Sequence, residues 1–388
     1  MLVGRPVAMV VRIRGYARGV TESQEVVLPP HLADGGSGWD PDAFRAGIEH
    51  CVQEFVGTQE SWLADLGEDA ERLVEHARIS VSGGKRFRAS FCWWGHLAVS
   101  EAADPEALLR ACASLELLHA SALVHDDYMD ASDTRRGRPA THRAFEALHR
   151  ERGWNADATQ YGASAAILLG DLLLSWSDEM LRTCGLPAEQ VLAALGYFDL
   201  TRTEVVAGQF LDVSAQARGT TDVEVAMRVL RYKSAKYSIE RPLHIGAALA
   251  GATPEVIERL TGFGLPLGEA FQLRDDLLGV FGDPAVTGKP AGDDLTEGKR
   301  TVLIALALDG LAPADRAHLD STLGRPLSPD EVAGLQGLIR SSGADEQVEE
   351  LITTLTARSL DALAAAPIRD EARGVLGELA AAATQRTV

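Results

Sequence analysis

The sequence predicts an all-α chain, one large helical-bundle domain. Three observations carry that expectation. Helical hydrophobic periodicity runs almost without pause after about Gly38; Ala, Leu and Glu dominate it; and neither strand-like alternation nor a repeat of fixed period persists. Residues 1–38 precede this pattern and are broken by Pro29-Pro30 and Gly35-Gly36-Ser37-Gly38, so they are expected to form a poorly structured tail ahead of a domain spanning 39–388. The tail carries Arg5, Arg12, Arg14 and Arg18, and its apolar stretch Val7–Val11 is too short for a signal peptide.

The first helix is expected from Asp42 to about Leu66. Asp104-Pro105 opens another, an N-cap followed by proline at the first helical position, running to about Asp130. Periodicity places further helices from Gly162 to Leu181, Glu189 to Val213, Val223 to Leu249 and Gly264 to Phe281. The last 45 residues read as two helices broken near Pro367. Glycine- and proline-rich stretches at Gly137–Pro139 and Gly282–Gly292 interrupt the pattern just after two acidic clusters.

Of the 388 residues, 46% are hydrophobic and 24% charged, which excludes wholesale disorder. A formal net charge of -19, from 37 Lys+Arg against 56 Asp+Glu, argues against a nucleic-acid binder. Cys51, Cys92, Cys112 and Cys184 are scattered without metal-site spacing and read as reduced packing residues of a cytoplasmic protein. No apolar run suggests a membrane span; the best stretch, Gly162–Trp176, is interrupted by Asp171 and reads as a buried helix.

The chemistry starts at His125-Asp126-Asp127-Tyr128-Met129-Asp130, at the end of an otherwise apolar helix. Asp126 and Asp130 share a face, and two like charges there make sense with a cation between them; carboxylate oxygens suit a hard ion such as Mg2+, although such a cluster by itself is ordinarily a solvated, negatively charged helix end. Asp275-Asp276 forms a second acidic site after Gln272-Leu273-Arg274. Basic residues accompany both: Lys85, Arg86 and Arg88 after Gly83-Gly84, Arg135-Arg136, then Lys289 and Lys299-Arg300 around Asp293-Asp294. Any one basic segment is ordinarily a surface salt-bridging stretch. Together, with glycines that let the backbone approach an oxyanion, they suggest a metal-clamped diphosphate with a second anion nearby.

These residues form ordered blocks through which the chain resembles the trans-isoprenyl diphosphate synthases, the polyprenyl synthetases. The blocks are Gly83-Gly84-Lys85-Arg86-Phe87-Arg88, Glu116-Leu117-Leu118-His119 leading to Asp126–Asp130, Arg135-Arg136-Gly137-Arg138-Pro139, Gly170-Asp171, Gly208-Gln209-Phe210-Leu211-Asp212, Lys233-Ser234-Ala235, Phe271–Asp276, and Gly288-Lys289 with Gly298–Thr301. The resemblance covers roughly 82–301 and implies an isoprenoid-synthase bundle with a central cavity. It also implies Mg2+-dependent 1'-4 head-to-tail transfer of an allylic diphosphate onto isopentenyl diphosphate, by a homodimer.

Carried over residue by residue, Asp126, Asp130 and Asp275, with Asp276 beside it, hold Mg2+, three ions with bound diphosphate. Arg135, Lys233, Lys289 and Lys299 contact the allylic diphosphate; Lys85, Arg88, His119 and Arg136 bind isopentenyl diphosphate; Gln272 and Ser234 lie near the developing allylic cation. Two positions depart from the family pattern. Gly279 stands where a third aspartate is usual, Asp283 being the next acid along, and Ala89 stands where proline is common.

The helix leading to Asp126 supplies a length ruler. Ala111, Leu115, Leu118 and Ala122 recur on its Asp126 face, with Leu118 roughly 12 Å and Leu115 roughly 16 Å below the acidic site at 1.5 Å per residue. Ser121 and Ala122 are small where shorter-product members of the family often place an aromatic floor, so a geranylgeranyl (C20) product is expected over farnesyl or a longer polyprenyl chain. Leu115 has a plain packing role as its alternative. A class I terpene cyclase is disfavoured because its second metal motif normally needs an Asn or Asp, a Ser or Thr and a Glu; the sole asparagine is Asn155, and Asp275-Asp276 is followed by neither of the other two. A non-catalytic synthase subunit is disfavoured because the aspartates and Arg135-Arg136 are all retained.

Overall fold

A computed structural model describes residues 39–283 and 292–385; the expected tail (1–38) and Lys289 lie outside the described residues. Helix starts follow from local chemistry. Asp40 Oδ1 accepts from the Asp42 and Ala43 amides at 2.9 and 3.0 Å to open α1 (Pro41–Leu63), and Asp104 Oδ1 accepts from the Ala107 amide at 2.9 Å to open α4 (Pro105–Met129). Between them lie α2 (Glu68–Val81) and α3 (Phe87–Leu97), short helices that periodicity alone did not separate. The chain continues through α5 (Thr141–Arg152), α6 (Ala158–Arg182) and α7 (Ala188–Arg218). The continuous helix α8 is α-type at Val223–Val229, π-type at Leu230–Glu240 and α-type again at Arg241–Leu249.

Helix α9 (Pro254–Phe281) starts ten residues before the expected Gly264 and carries Pro266 inside it. A proline there sacrifices one backbone hydrogen bond, but Pro266 is buried within the helical stack, and burial outweighs the local breaker signal. The remaining helices are α10 (Asp293–Glu297), α11 (Val302–Gly310), α12 (Pro313–Thr322), α13 (Pro329–Ser341), α14 (Ala344–Ala365) and α15 (Asp370–Thr384). The break between α14 and α15 falls at 366–369, around Pro367. Among the described residues the only strands are the two-residue β1 (Thr134–Arg135) and β2 (Arg138–Pro139).

Helix α4 is wrapped by α1, α2, α3, α5 and α6. It runs antiparallel to α6: Arg110 Nε donates to the Cys184 carbonyl at 2.8 Å near one end, and the His125 ring meets the Ile167 carbonyl at 3.2 Å near the other. Among the described residues, α4, not the Gly162–Trp176 stretch, is the helix long and apolar enough to cross a membrane, yet 78% of that apolar window is buried inside the protein. Its hydrophobicity reflects a central core position. The apolar core falls into two clusters. One gathers around α1–α4, α6 and α7 with α15, the other around the second half of α9 with α11, α13 and α14, and α8 and α9 contribute to both. The four cysteines are free and buried, as packing residues are.

Candidate functional site

Between α4, α7, α8 and α9 lies a partly open cavity of about 1210 Å³, lined by acidic and basic side chains around the end of α4 and by apolar ones further along that helix. The C-terminal end of α4 delivers Asp126 to it. Asp126 Oδ1 accepts from Lys233 Nζ at 3.1 Å and from Gln209 Nε2 at 2.9 Å, and Lys233 Nζ also reaches Asp212 Oδ2 at 2.6 Å. Lys233 comes from the π-type stretch of α8, whose wider turn shifts its side chains relative to an α-helical register. Gln209 and Asp212 belong to a sequence block that gave them no roles; their i, i+3 spacing on α7 was the available signal.

Asp126 borders the cavity, whereas Asp130 lies beside it against Lys299; Asp127, between them, accepts from Arg135 Nε at 2.8 Å. That bond pins the β1–β2 turn, whose central residues Arg136 and Gly137 both have positive φ (52° and 72°), the geometry of a two-residue type I′ hairpin. The turn places Arg135 and Arg136 together at the cavity wall, with Arg136 Nη1 donating to the Ser82 carbonyl at 2.5 Å. The Gly83–Arg86 loop beside it is held by Arg86, which turns inward to pair with Glu116 at 2.8 Å and with Glu49. Arg86 is thus a buried anchor, and Lys85 and Arg88 are the residues of that block that border the cavity. Arg88 donates to Ser238 Oγ at 2.9 Å and lies over the Tyr237 ring, 4.1 Å from its centroid, while the Tyr237 hydroxyl meets His119 Nδ1 at 2.5 Å. Burial, followed by the charges of Arg88 and Arg136, holds His119 well below its ordinary pKa, so its ring is neutral.

From α9, Gln272, Asp275 and Asp276 border the same cavity, with Gln272 Nε2 donating to Asp276 Oδ1 at 2.9 Å. Ser234 borders it from α8. Lys299 Nζ lies 2.5 Å from Glu297 Oε2, 3.4 Å from Asp130 Oδ2 and 3.6 Å from Asp294 Oδ1. Asp294 and Glu297, on α10, went unassigned in the sequence because no spacing rule links them to α4.

Below the charged rim, Leu118, Ser121 and Ala122 of α4 line the wall, with Ile167 and Leu174 of α6 and Arg202 and Val205 of α7. Leu115 does not. It is 1% exposed and packed into the core, so its expected role as a deeper tunnel floor is corrected to packing. The charged Arg202 at this level, paired with Asp178 at 3.2 Å and lying over the Phe198 ring, carried no sequence signal.

The electrostatics show a site short of positive charge. Burial, then the charge of Asp126, pushes Asp130 up to about 6, and burial pushes Asp276 up to about 8. Burial would also raise Asp126, but Lys233 and Lys299 overcome it and hold that carboxyl at about 2. Asp130 Oδ2 is buried and accepts no hydrogen bond. Among the described residues no three His, Cys, Asp or Glu side chains converge as a ready-made metal cage. A hard divalent cation that keeps waters and takes part of its coordination from a phosphate-bearing ligand fits this set, since such an ion needs only one or two carboxylates from each wall.

Comparison with known proteins places this geometry. A family sequence model described as "Polyprenyl synthetase" matches residues 70–337. The chain is 32% identical to the geranylfarnesyl diphosphate synthase of Aeropyrum pernix over 83% of this chain and 93% of that one. It is 31% identical to the (2E,6E)-farnesyl diphosphate synthase of Mycobacterium tuberculosis over 81% and 88%. The structure superposes with a TM-score of 0.87 on geranylgeranyl pyrophosphate synthase from Corynebacterium glutamicum, complexed with isoprenyl diphosphate and magnesium, at 43% identity and 90% and 100% coverage.

Proposed function

The chain belongs to the polyprenyl synthetase family, a family of Mg2+-dependent prenyl transferases acting on isopentenyl and allylic diphosphates, and from that premise we propose that it makes geranylgeranyl diphosphate. The observation carrying the C20 reading is the cavity wall: small Ser121 and Ala122 one turn above Leu118, with Leu174 and Arg202 opposite.

In this reading Asp126 and Asp130 on one wall and Asp275 and Asp276 on the other hold Mg2+, which supplies positive charge to the leaving diphosphate. Arg135, Lys233 and Lys299 grip the oxygens of the allylic diphosphate, and Lys289 is assigned to the same group. Burial opposes the charge on Lys233, but Asp126 and Asp212 outweigh it and raise its pKa, so the ammonium is retained at neutral pH. Lys85, Arg88, His119 and Arg136 take the isopentenyl diphosphate. Heterolysis leaves an allylic cation beside the Ser234 hydroxyl and the Gln272 amide oxygen, in a cavity whose apolar lower walls exclude water. The homoallylic double bond of isopentenyl diphosphate attacks it, and the departed diphosphate removes the final proton, so no protein base is needed and a neutral His119 serves.

Purified protein with Mg2+, isopentenyl diphosphate and farnesyl diphosphate is expected to yield a C20 product by mass spectrometry. A product distribution centred on C15 or C25 overturns the chain-length assignment; no consumption of isopentenyl diphosphate overturns prenyl transfer. Ser121→Phe is expected to shift the product to C15 or shorter by filling the wall one helical turn below His125, and an unchanged distribution removes Ser121 from the ruler. The family resemblance also implies a homodimer. Light scattering is expected to return twice the chain mass. The four free, buried cysteines favour a cytoplasmic location.

A further inference from the structure

Arg202 sets a charge among apolar cavity liners, in company with Leu118 of α4, Leu174 of α6 and Val205 of α7. Its level follows from three helices. On α7 it lies seven residues before Gln209, the donor to Asp126, which is roughly 10 Å at 1.5 Å per residue. On α4, Leu118 lies eight residues before Asp126, roughly 12 Å. On α6, Asp178 lies eleven residues beyond Ile167, whose carbonyl meets the His125 ring, roughly 16 Å. Arg202 and Asp178 therefore meet at the end of the cavity remote from the acidic site.

The arginine is held there from several sides. Its guanidinium lies over the Phe198 ring, 5.1 Å from the centroid, and Phe198 is fully buried. Nη1 is 3.2 Å from Asp178 Oδ1, across on α6, and Nη2 pairs with Asp199 on its own helix. The other oxygen, Asp178 Oδ2, accepts from Arg182 Nε at 2.6 Å, so the aspartate is itself fixed. Asp178 does not line the cavity, yet its side chain keeps 22% exposure, so the pair stands between the cavity and solvent. An ion pair this exposed contributes little to stability; its place at the cavity is what gives it a role.

We propose that the Arg202–Asp178 ion pair bars the far end of the cavity between α6 and α7 and stops the growing prenyl tail there. The tail is a hydrocarbon with no hydrogen-bonding group. To pass, it must part the two charges and leave each facing hydrocarbon without a partner, a penalty that an apolar residue of the same size does not impose. This rests on the prenyl-transferase reading and deepens it. Small Ser121 and Ala122 leave the upper wall open, and a charged crossbar, in place of an aromatic or leucine floor, sets where the product ends.

The test is product length, read by mass spectrometry with Mg2+, isopentenyl diphosphate and farnesyl diphosphate. Each variant is compared with the unmodified protein, with far-UV circular dichroism as the check on folding. Asp178→Ala, which leaves every cavity liner in place, is expected to lengthen the main product by one isoprene unit or more. Arg202→Met, close to arginine in length but uncharged, is expected to lengthen it as well. Asp199→Ala, which removes only the exposed partner on the same helix, is expected to give the unmodified distribution. If Asp178→Ala gives the unmodified distribution, the inference fails while the functional reading stands. If Arg202→Met keeps that distribution and Arg202→Ala lengthens it, side-chain bulk stops the tail and the ion pair does not, which also overturns the inference. If the unmodified protein consumes no isopentenyl diphosphate, the prenyl-transferase reading falls and the inference with it.

Discussion

Replacing Asp130 with asparagine is expected to abolish prenyl transfer and, in the metal-free protein at pH 8, to raise the unfolding temperature. Both effects come from the same buried carboxylate. Its pKa is raised from 3.8 to about 6, by burial first and by the Asp126 charge second. The folded state therefore binds this proton more tightly than the unfolded chain does. Its contribution to stability is fully present below the unfolded value, near 3.8, and is lost as pH rises through about 6. At pH 8 the ionised group costs the fold at most about 3 kcal/mol, a limit set by 1.36 kcal/mol per pKa unit. The Asp130→Asn substitution removes the charge and recovers part of that, worth a few degrees in unfolding temperature. The gain should shrink steadily toward pH 4, where Asp130 is already neutral. Activity should fall on the order of 10²-fold or more, because charge stabilisation of the leaving group is lost from one wall. Calorimetry with chelator at pH 8, 6 and 4.5, alongside product formation with Mg2+, reads both quantities. A lower unfolding temperature for Asp130→Asn at pH 8 would mean that the Lys299 ion pair outweighs the buried repulsion. The same titration makes Mg2+ affinity fall as pH drops below about 6, since the ion must displace the Asp130 proton.

How much of this is legible in the sequence depends on whether the signal is local. Helix α4 was readable end to end because its cap, Asp104-Pro105, and its acidic terminus are contiguous signals. Asp126 and Asp130 could be placed on one face from spacing alone. The Asp127–Arg135 bond could not: it depends on a hairpin whose strands are two residues each, too short for alternation to register. Pro266 misplaced the start of α9 because tertiary burial overrode the local penalty of an internal proline. Leu115 failed as a floor residue because a 3.6-residue period gives a face only to within a side chain's width, and burial of that face is decided by the neighbouring helices. The roles of Gln209 and Asp212 needed three dimensions, since each meets a partner from a different helix. The π-type stretch at Leu230–Glu240 is the clearest case, because π and α turns are not distinguished by hydrophobic period over eleven residues.

That stretch underlies the second large effect. Gly208→Ala is expected to cost on the order of 10²-fold in kcat and about 1–3 kcal/mol in stability. The π-type stretch is broader than an α-helix, and it is held between two others at glycines. On the α7 side, a Cβ on Gly208 would lie 2.5 Å from the Tyr232 carbonyl carbon and 2.7 Å from Lys233 Cα. On the α9 side, a Cβ on Gly268 would lie 2.9 Å from both the Cα and the carbonyl carbon of Ala235. The obstructing atoms are backbone, so no rotamer change relieves the contact and the helices must separate. Separation acts directly on the site, because Gly208 is adjacent to Gln209 and its obstacle is Lys233, the two residues that hold Asp126 at 2.9 and 3.1 Å. A shift of about 1 Å there detaches Asp126 from one or both donors, which accounts for a kinetic loss beside the loss of stability. Gly196→Ala is the control on the same helix. Nothing lies within 4 Å of its Cβ position, so alanine should leave kcat unchanged and stabilise the helix by about 0.5–1 kcal/mol. Gly208→Ala with unaltered kcat would show that the π-type stretch yields to α7 without disturbing Lys233, and that the two glycines serve packing alone.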